Sequence, residues 1–183
     1  MNNLTILANK YNCDKGTEAG EAHSYTEEYP KYIPQFSESK QLLLIEIGVY
    51  HCDSMRMWNE YNPELQIVGL DIDKDILNYY PEEDKDKYSL YIGNATDSEF
   101  INKVLEDNLP DFIIDDGSHN YMDILSSFRL LYPKLKEGGY YFIEDLHASY
   151  AEKYKLIADI TSEYTFKNLG FRCNDKLWII QKT

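Results

Sequence analysis

Continuous apolar runs alternate with amphipathic stretches along most of this chain, and no other feature of the sequence constrains the fold as tightly. "LLLIEIGV" at 42–49 reads as a strand buried on both faces, and "LQIVGLDID" at 65–73, "YSLYIG" at 88–93, "DFIID" at 111–115 and "YYFIE" at 140–144 read as further strands. Helix patterns separate them. "DSMRMWNEY" has Asp53 or Ser54 as its expected N-cap, and "KDILNYY" reads as a short helix. "EFINKVLED" follows a capping box at Thr96 and Glu99, and "YMDILSSFRLLY" places Ile124, Leu125, Phe128 and Leu131 on one face. A helix near 150–163 and two strands, about 164–171 and "KLWIIQK", complete the order. Strands alternating with helices predict an α/β fold: one doubly wound, Rossmann-like domain with a mostly parallel seven-stranded sheet. Ligands of such sheets bind outside the carboxyl ends of the strands.

Composition narrows the ligand. The 183 residues carry a formal net charge of −14, so nucleic acid is not the expected partner. A cationic ligand, or a metal ion that offsets clustered acids, suits the chain better. Three scattered cysteines, Cys13, Cys52 and Cys173, form no CxxC pair and suggest a reducing, cytoplasmic setting. The opening "MNNLTILANKYN" has neither a basic n-region nor a long apolar h-region, so no signal peptide is expected. No apolar run approaches the ~20 residues that span a bilayer, so no membrane insertion is expected.

The polar residues at the strand ends carry the chemistry. Glu46 and Gly48 follow the first strand, Asp71 the second and Asn94 the third. A glycine lets backbone approach a ligand, and an acid after the second strand can accept both ribose hydroxyls. "EIGVYHCDS" holds only one glycine, and neither a G-x-G-x-x-G fingerprint nor a P-loop is present. The expected ligand is therefore adenosine-like without phosphates, and S-adenosylmethionine, with its ribose, amine and sulfonium, matches. Paired acids then close the fourth and fifth strands: Asp115 and Asp116 in "DDGSH", Glu144 and Asp145 in "IEDLH".

Together, "LLLIEIGVYHCDSMRMW", "IVGLDID", "YIGNATD", "DFIIDDGSH" and "GGYYFIED" resemble the class I methyltransferases. Within them the chain looks like the metal-dependent sugar O-methyltransferases of the macrolide type, from about residue 10 to 147 and including "DKGTEAGEAHSYTEEY". The resemblance implies that Asp116, Glu144 and Asp145 bind Mg²⁺ and that His119 is the general base. The strand geometry agrees: neighbouring strands lie about 4.8 Å apart, so acids at their shared edge converge and a divalent ion relieves their repulsion. Oxygen ligands favour Mg²⁺, with Mn²⁺ or Ca²⁺ as alternatives, over zinc.

These readings predict residues 1–40 as an N-terminal helical or lid segment and residues 41–183 as the cofactor-binding catalytic domain. Tyr25, Tyr29 and Tyr32 are spaced as the stripe of an amphipathic helix. Glu46, Gly48, Asp71, Asn94, Asp115 and Lys15 are the candidate cofactor contacts. Tyr25, Thr26 and His147 are the candidate acceptor contacts. The expected acceptor is a sugar hydroxyl of a small glycosylated metabolite or a surface polysaccharide. A catechol, which also offers two adjacent oxygens, is the other acceptor to test. A degenerate fold serving as a binding module is the non-enzymatic reading, and the aromatic N-terminal segment could also serve a homo-oligomer interface. Simpler roles exist for several residues: Asp71 as a turn residue, the acids as a solvated rim, His119 as a helix-start residue. Two positions depart from the family pattern, Cys52 where glycine is usual and Asn94 where aspartate is common. A cysteine at positive φ would cost roughly 1–2 kcal/mol.

Overall fold

The computed structural model describes residues 1–36, 41–80, 82–106, 108–146, 150–174 and 176–183. One seven-stranded sheet has the order β3-β2-β1-β4-β5-β7-β6. The strands are β1 Leu43–Ile47, β2 Gln66–Asp71, β3 Ser89–Ile92, β4 Phe112–Asp115, β5 Tyr140–Ile143, β6 Phe166–Arg172 and β7 Leu177–Lys182. β1 to β5 run parallel, and β7 inserts antiparallel between β5 and β6. The chain order reverses beside β1, which pairs with both β2 and β4; the ends of these strands form the switch-point crevice.

The period of two along each strand decides which residues face which layer. Leu44, Ile67, Phe112, Ile114, Phe142 and Ile179 pack with the N-terminal helix α1 (Asn3–Lys10) and with α2 (Asp53–Tyr61), around Trp58. Ile45, Ile47, Leu70, Ile113, Tyr141, Ile143, Trp178 and Ile180 pack against α3 (Ser98–Leu105), α4 (Tyr121–Leu131) and α5 (Tyr150–Glu163). Both faces of the sheet are thus covered, as its continuous apolar strands require.

Three local expectations are corrected. The tyrosine stripe is not a helix: Tyr25–Glu27 and Tyr29–Lys31 are separate 3₁₀ turns. Pro30 breaks the pattern, because it lacks an N–H and disfavours the α conformation of the residue before it. The capping box at Thr96 does not form. Asn94 Oδ1 accepts from both the N–H and the hydroxyl of Thr96, at 2.9 Å each, and Asp97 caps α3 by accepting from Glu99 N and Phe100 N. Helix α2 is capped by neither Asp53 nor Ser54. Cys52 holds the N-cap position with φ +63° and no side-chain cap, while Asp53 accepts from Arg56 at 3.0 Å. Cys52 therefore takes the positive φ considered for it, with its side chain fully buried.

Candidate active site

A pocket of about 500 Å³ lies at the carboxyl ends of β1 to β4. Gly48 makes its floor possible. Its φ is +79°, and a Cβ there would stand 2.0 Å from the backbone oxygen of Asp116. The ends of β1 and β4 are thereby pressed together, with Asp116 N donating to Ile47 O at 3.0 Å.

The half of the pocket formed by β1 to β3 is built from local backbone bonds. Asp71 ends β2; its Oδ2 accepts from Val49 N at 3.0 Å and Tyr50 N at 3.3 Å, and its Oδ1 from Asp73 N at 2.9 Å. These bonds fix the carboxylate on the pocket wall. Asn94, exposed on the same wall, accepts from Thr96 through its side-chain oxygen, which leaves the amide nitrogen as the donor it can offer a ligand. Ile72 and Tyr50 add largely exposed apolar surface at the mouth.

The other half is built from the acids of β4 and β5. Asp115 lines the pocket, but its Oδ2 accepts from the Ser127 hydroxyl at 2.5 Å and the Tyr141 hydroxyl at 3.1 Å. Burial pushes its carboxyl up to about 6, against the pull of these two hydroxyls. Asp116, His119 and Asp145 each direct a ligand atom toward one point, the three atoms lying within 4.8 Å of one another. His119 Nε2 is 4.0 Å from Asp145 Oδ2, and its Nδ1 is buried with no hydrogen-bond partner among the described residues. Asn120, not His119, caps α4 by accepting from Met122 N at 2.9 Å, so the helix start does not account for the imidazole.

Lys15 and Glu46 were expected at the cofactor and lie behind the wall instead. Neither lines the pocket, and both are buried, at 1% and 0% exposure. The Lys15 ammonium donates to Asp116 Oδ2 at 2.5 Å and Glu144 Oε2 at 2.7 Å and stands 3.4 Å from Glu46 Oε1. Burial alone would lower its pKa, but Asp116, Glu144 and Glu46 outweigh burial and raise it. Burial pushes Glu46 up to about 7 and raises Glu144 and Asp116, with Lys15 opposing each rise. Glu144 is not among the three converging groups. Lys15 holds one of its oxygens and the Tyr29 hydroxyl the other. Tyr25 and Thr26, expected at the acceptor, are fully buried. The Tyr25 hydroxyl bonds Asp145, and Thr26 Oγ1 lies 2.9 Å from Thr5 Oγ1 in a buried contact away from the pocket. His147 lies outside the described residues.

Several residues here were given no role at the site from sequence. Asp14 is exposed on the pocket wall while its neighbour Lys15 points inward. Tyr29, Ser127 and Tyr141 hold the acids. No local motif marks them, since each bond spans 12 to 115 residues.

The strand order, the crevice and the acids at its edge define the Rossmann-like fold of the class I methyltransferases. No protein-family model matches the chain. Its sequence is similar to sugar O-methyltransferases: it is 32% identical to the mycinamicin VI 2''-O-methyltransferase of Micromonospora griseorubida over 156 residues, 80% of this chain and 37% of that protein. It is 36% identical to the 8-demethyl-8-(2-methoxy-alpha-L-rhamnosyl)-tetracenomycin-C 3'-O-methyltransferase of Streptomyces olivaceus over 104 residues, 55% of this chain and 25% of that one. The chain thus spans only about a quarter to two fifths of the length of these relatives. Among solved structures, the MycE methyltransferase of the mycinamycin pathway, in complex with Mg, SAH and mycinamycin VI, superposes with a TM-score of 0.77 at 24% identity, over 99% of this chain and 53% of that one. A caffeoyl-CoA O-methyltransferase-like protein from Staphylococcus aureus shares the fold at 12% identity, with a TM-score of 0.67 over 100% of this chain and 93% of that one. No helix among the described residues is long and apolar enough to cross a membrane.

Proposed function

We propose that this chain is an S-adenosylmethionine-dependent, divalent-metal-dependent O-methyltransferase acting on a sugar hydroxyl of a small glycosylated acceptor. The observation that carries this reading is one pocket with two chemistries. Its β1–β3 wall offers bare backbone at Gly48 and a fixed carboxylate at Asp71, and its β4–β5 wall brings Asp116, His119 and Asp145 together. The sequence similarity to sugar O-methyltransferases supports the choice of acceptor.

The residues fit both groups the reading requires. Gly48 lines the pocket with bare backbone, its missing side chain leaving room for the Asp116 carbonyl behind it, and Asp71 keeps acceptor capacity at the site expected for a ribose. Asp116 and Asp145 would hold Mg²⁺ through oxygen, which a hard cation prefers, with Glu144 recessed behind them. When bound, S-adenosylmethionine would supply an electrophilic methyl group and Mg²⁺ would acidify a coordinated hydroxyl. His119 stands beside Asp145 on the pocket wall and takes the acceptor's proton at an imidazole nitrogen. Asp116 and Asp145 would hold the ion, and Asp71, Asn94 and Asp115, which line the pocket, would face the cofactor.

The test is methyl transfer from labelled cofactor to rhamnosylated and catechol acceptors, with Mg²⁺ or with EDTA. Turnover of the sugar acceptor that EDTA abolishes and Mg²⁺ restores is expected. His119→Ala should then lose about 10²–10⁴ in kcat while still binding cofactor. Full activity in chelator would overturn the metal role, and a catechol-only product would overturn the acceptor.

A further inference from the structure

The first 36 residues reach the acids of β5 through two phenols, and the two contacts differ. The Tyr25 hydroxyl donates to Asp145 Oδ1 at 2.5 Å and accepts from the backbone N–H of Asp145 at 3.3 Å. One hydroxyl thus grips both the side chain and the main chain of a single residue. That residue is strained: Asp145 has φ +48°, a conformation a non-glycine residue keeps only when its surroundings impose it. With Oδ1 held by Tyr25, Oδ2 is turned to His119 Nε2 and to His23 Nε2, 3.6 Å away. Glu144 is held on both oxygens, by Tyr29 and by Lys15.

The fold places Tyr25 for this contact. His23 N donates to Asp14 O, Ser24 N to Gly16 O and Thr26 N to Lys15 O, so residues 14–16 and 23–26 run side by side and aim Lys15 and Tyr25 at neighbouring acids. The Tyr25 ring stacks on His23 at 5.2 Å and is fully buried, so the hydroxyl has little freedom to leave Asp145.

We infer that Tyr25 is the positioning residue that assigns the oxygens of Asp145: it takes Oδ1, imposes the left-handed backbone, and presents Oδ2 to the cation. The inference rests on the metal-dependent reading above. Partners behind a metal ligand typically change affinity by 10–100-fold when removed. Tyr29 acts on the recessed Glu144, where Lys15 persists without it, so its removal matters less.

The experiment titrates Mn²⁺ alone into the wild-type chain, Tyr25→Phe and Tyr29→Phe, following free Mn²⁺ by electron paramagnetic resonance. S-Adenosylhomocysteine affinity is measured on the same samples by calorimetry. Tyr25→Phe should weaken Mn²⁺ about 10–100-fold with cofactor-product affinity unchanged, and Tyr29→Phe should weaken it less. Equal Mn²⁺ affinity in wild type and Tyr25→Phe overturns the inference and leaves the metal reading standing. A wild-type chain that binds no Mn²⁺ overturns the metal reading, and the inference with it. Should Tyr25→Phe not fold, 3-fluorotyrosine at position 25 keeps ring and hydroxyl. Its fluorine resonance should then move on adding Mg²⁺, and an unmoved resonance overturns the inference.

Discussion

The two walls of the pocket are built by opposite means. On the β1–β3 wall, Asp71 accepts from residues 49, 50 and 73, and Asn94 bonds a residue two places along. On the β4–β5 wall, Lys15 reaches across 101 and 129 residues to Asp116 and Glu144, and Tyr25 across 120 to Asp145. The first wall is open and satisfied by its own backbone. The second is buried, carries more acid than its one ammonium balances, and depends on a segment far away in the chain. A site for a neutral adenosine group needs only shape and a few acceptors. A cation site needs concentrated negative charge, and that charge must be held in place without a counter-charge for every acid.

If this contrast is right, removing the long-range cation should do the most damage. Lys15→Met leaves Asp116, Glu144 and Glu46 buried without their ammonium and should cost about 3–5 kcal/mol in urea unfolding without metal. The same variant should regain part of that loss in Mg²⁺; a variant as stable as wild type would show that the cluster does not support the fold. Asp71→Ala should cost less stability, about 1–2 kcal/mol for the backbone N–H groups it leaves unpaired, and should weaken cofactor binding by ~1.5–3 kcal/mol, read by calorimetry. Unchanged affinity would remove Asp71 from the cofactor site.

Asp115 sits where the walls meet and sharpens the contrast through pH. Its carboxyl is raised to about 6 by burial, above its unfolded value of about 3.9. The folded state therefore prefers the protonated form. The resulting stability is complete below about pH 4 and is lost as pH rises through 6. Asp115→Asn stays neutral, so its stability should fall by about 1–2 kcal/mol less than that of wild type between pH 4 and pH 7 in chelator. Parallel pH profiles for the two proteins would rule this out.

The smallest effect is expected at Cys52, on the local side. Cys52→Gly relieves roughly 1–2 kcal/mol of left-handed strain. It also gives up the buried thiol and adds freedom to the unfolded chain, together about 1–2 kcal/mol. The unfolding free energy should change by no more than about 1 kcal/mol either way, and a larger loss would mean that the thiol packs better than glycine would.

What could be read from the sequence follows the same division. The apolar runs located the central strands β1, β4 and β5 to within two residues, because a strand covered on both faces must be continuously apolar. Asp71, Gly48 and the paired acids were visible because they end those runs. Helix starts were less legible. Thr96 has the right neighbour for a capping box, but Asn94 takes its hydroxyl first. The tyrosine spacing fits a helix, but Pro30 splits it.

By itself, then, the sequence determined the layer order of the fold, the edge at which the pocket lies and the residues that end each strand, because hydrophobic periodicity and strand-end chemistry are short-range properties. The tertiary structure alone decided which acids face the pocket. Lys15, expected at the cofactor, became the buried cation between three carboxylates, and Glu144, expected beside the metal, became the acid it shares with Tyr29. These assignments depend on which side chains meet across more than a hundred residues of chain. Electrostatic balance in a buried cluster is a property of that meeting, and no spacing along the sequence encodes it.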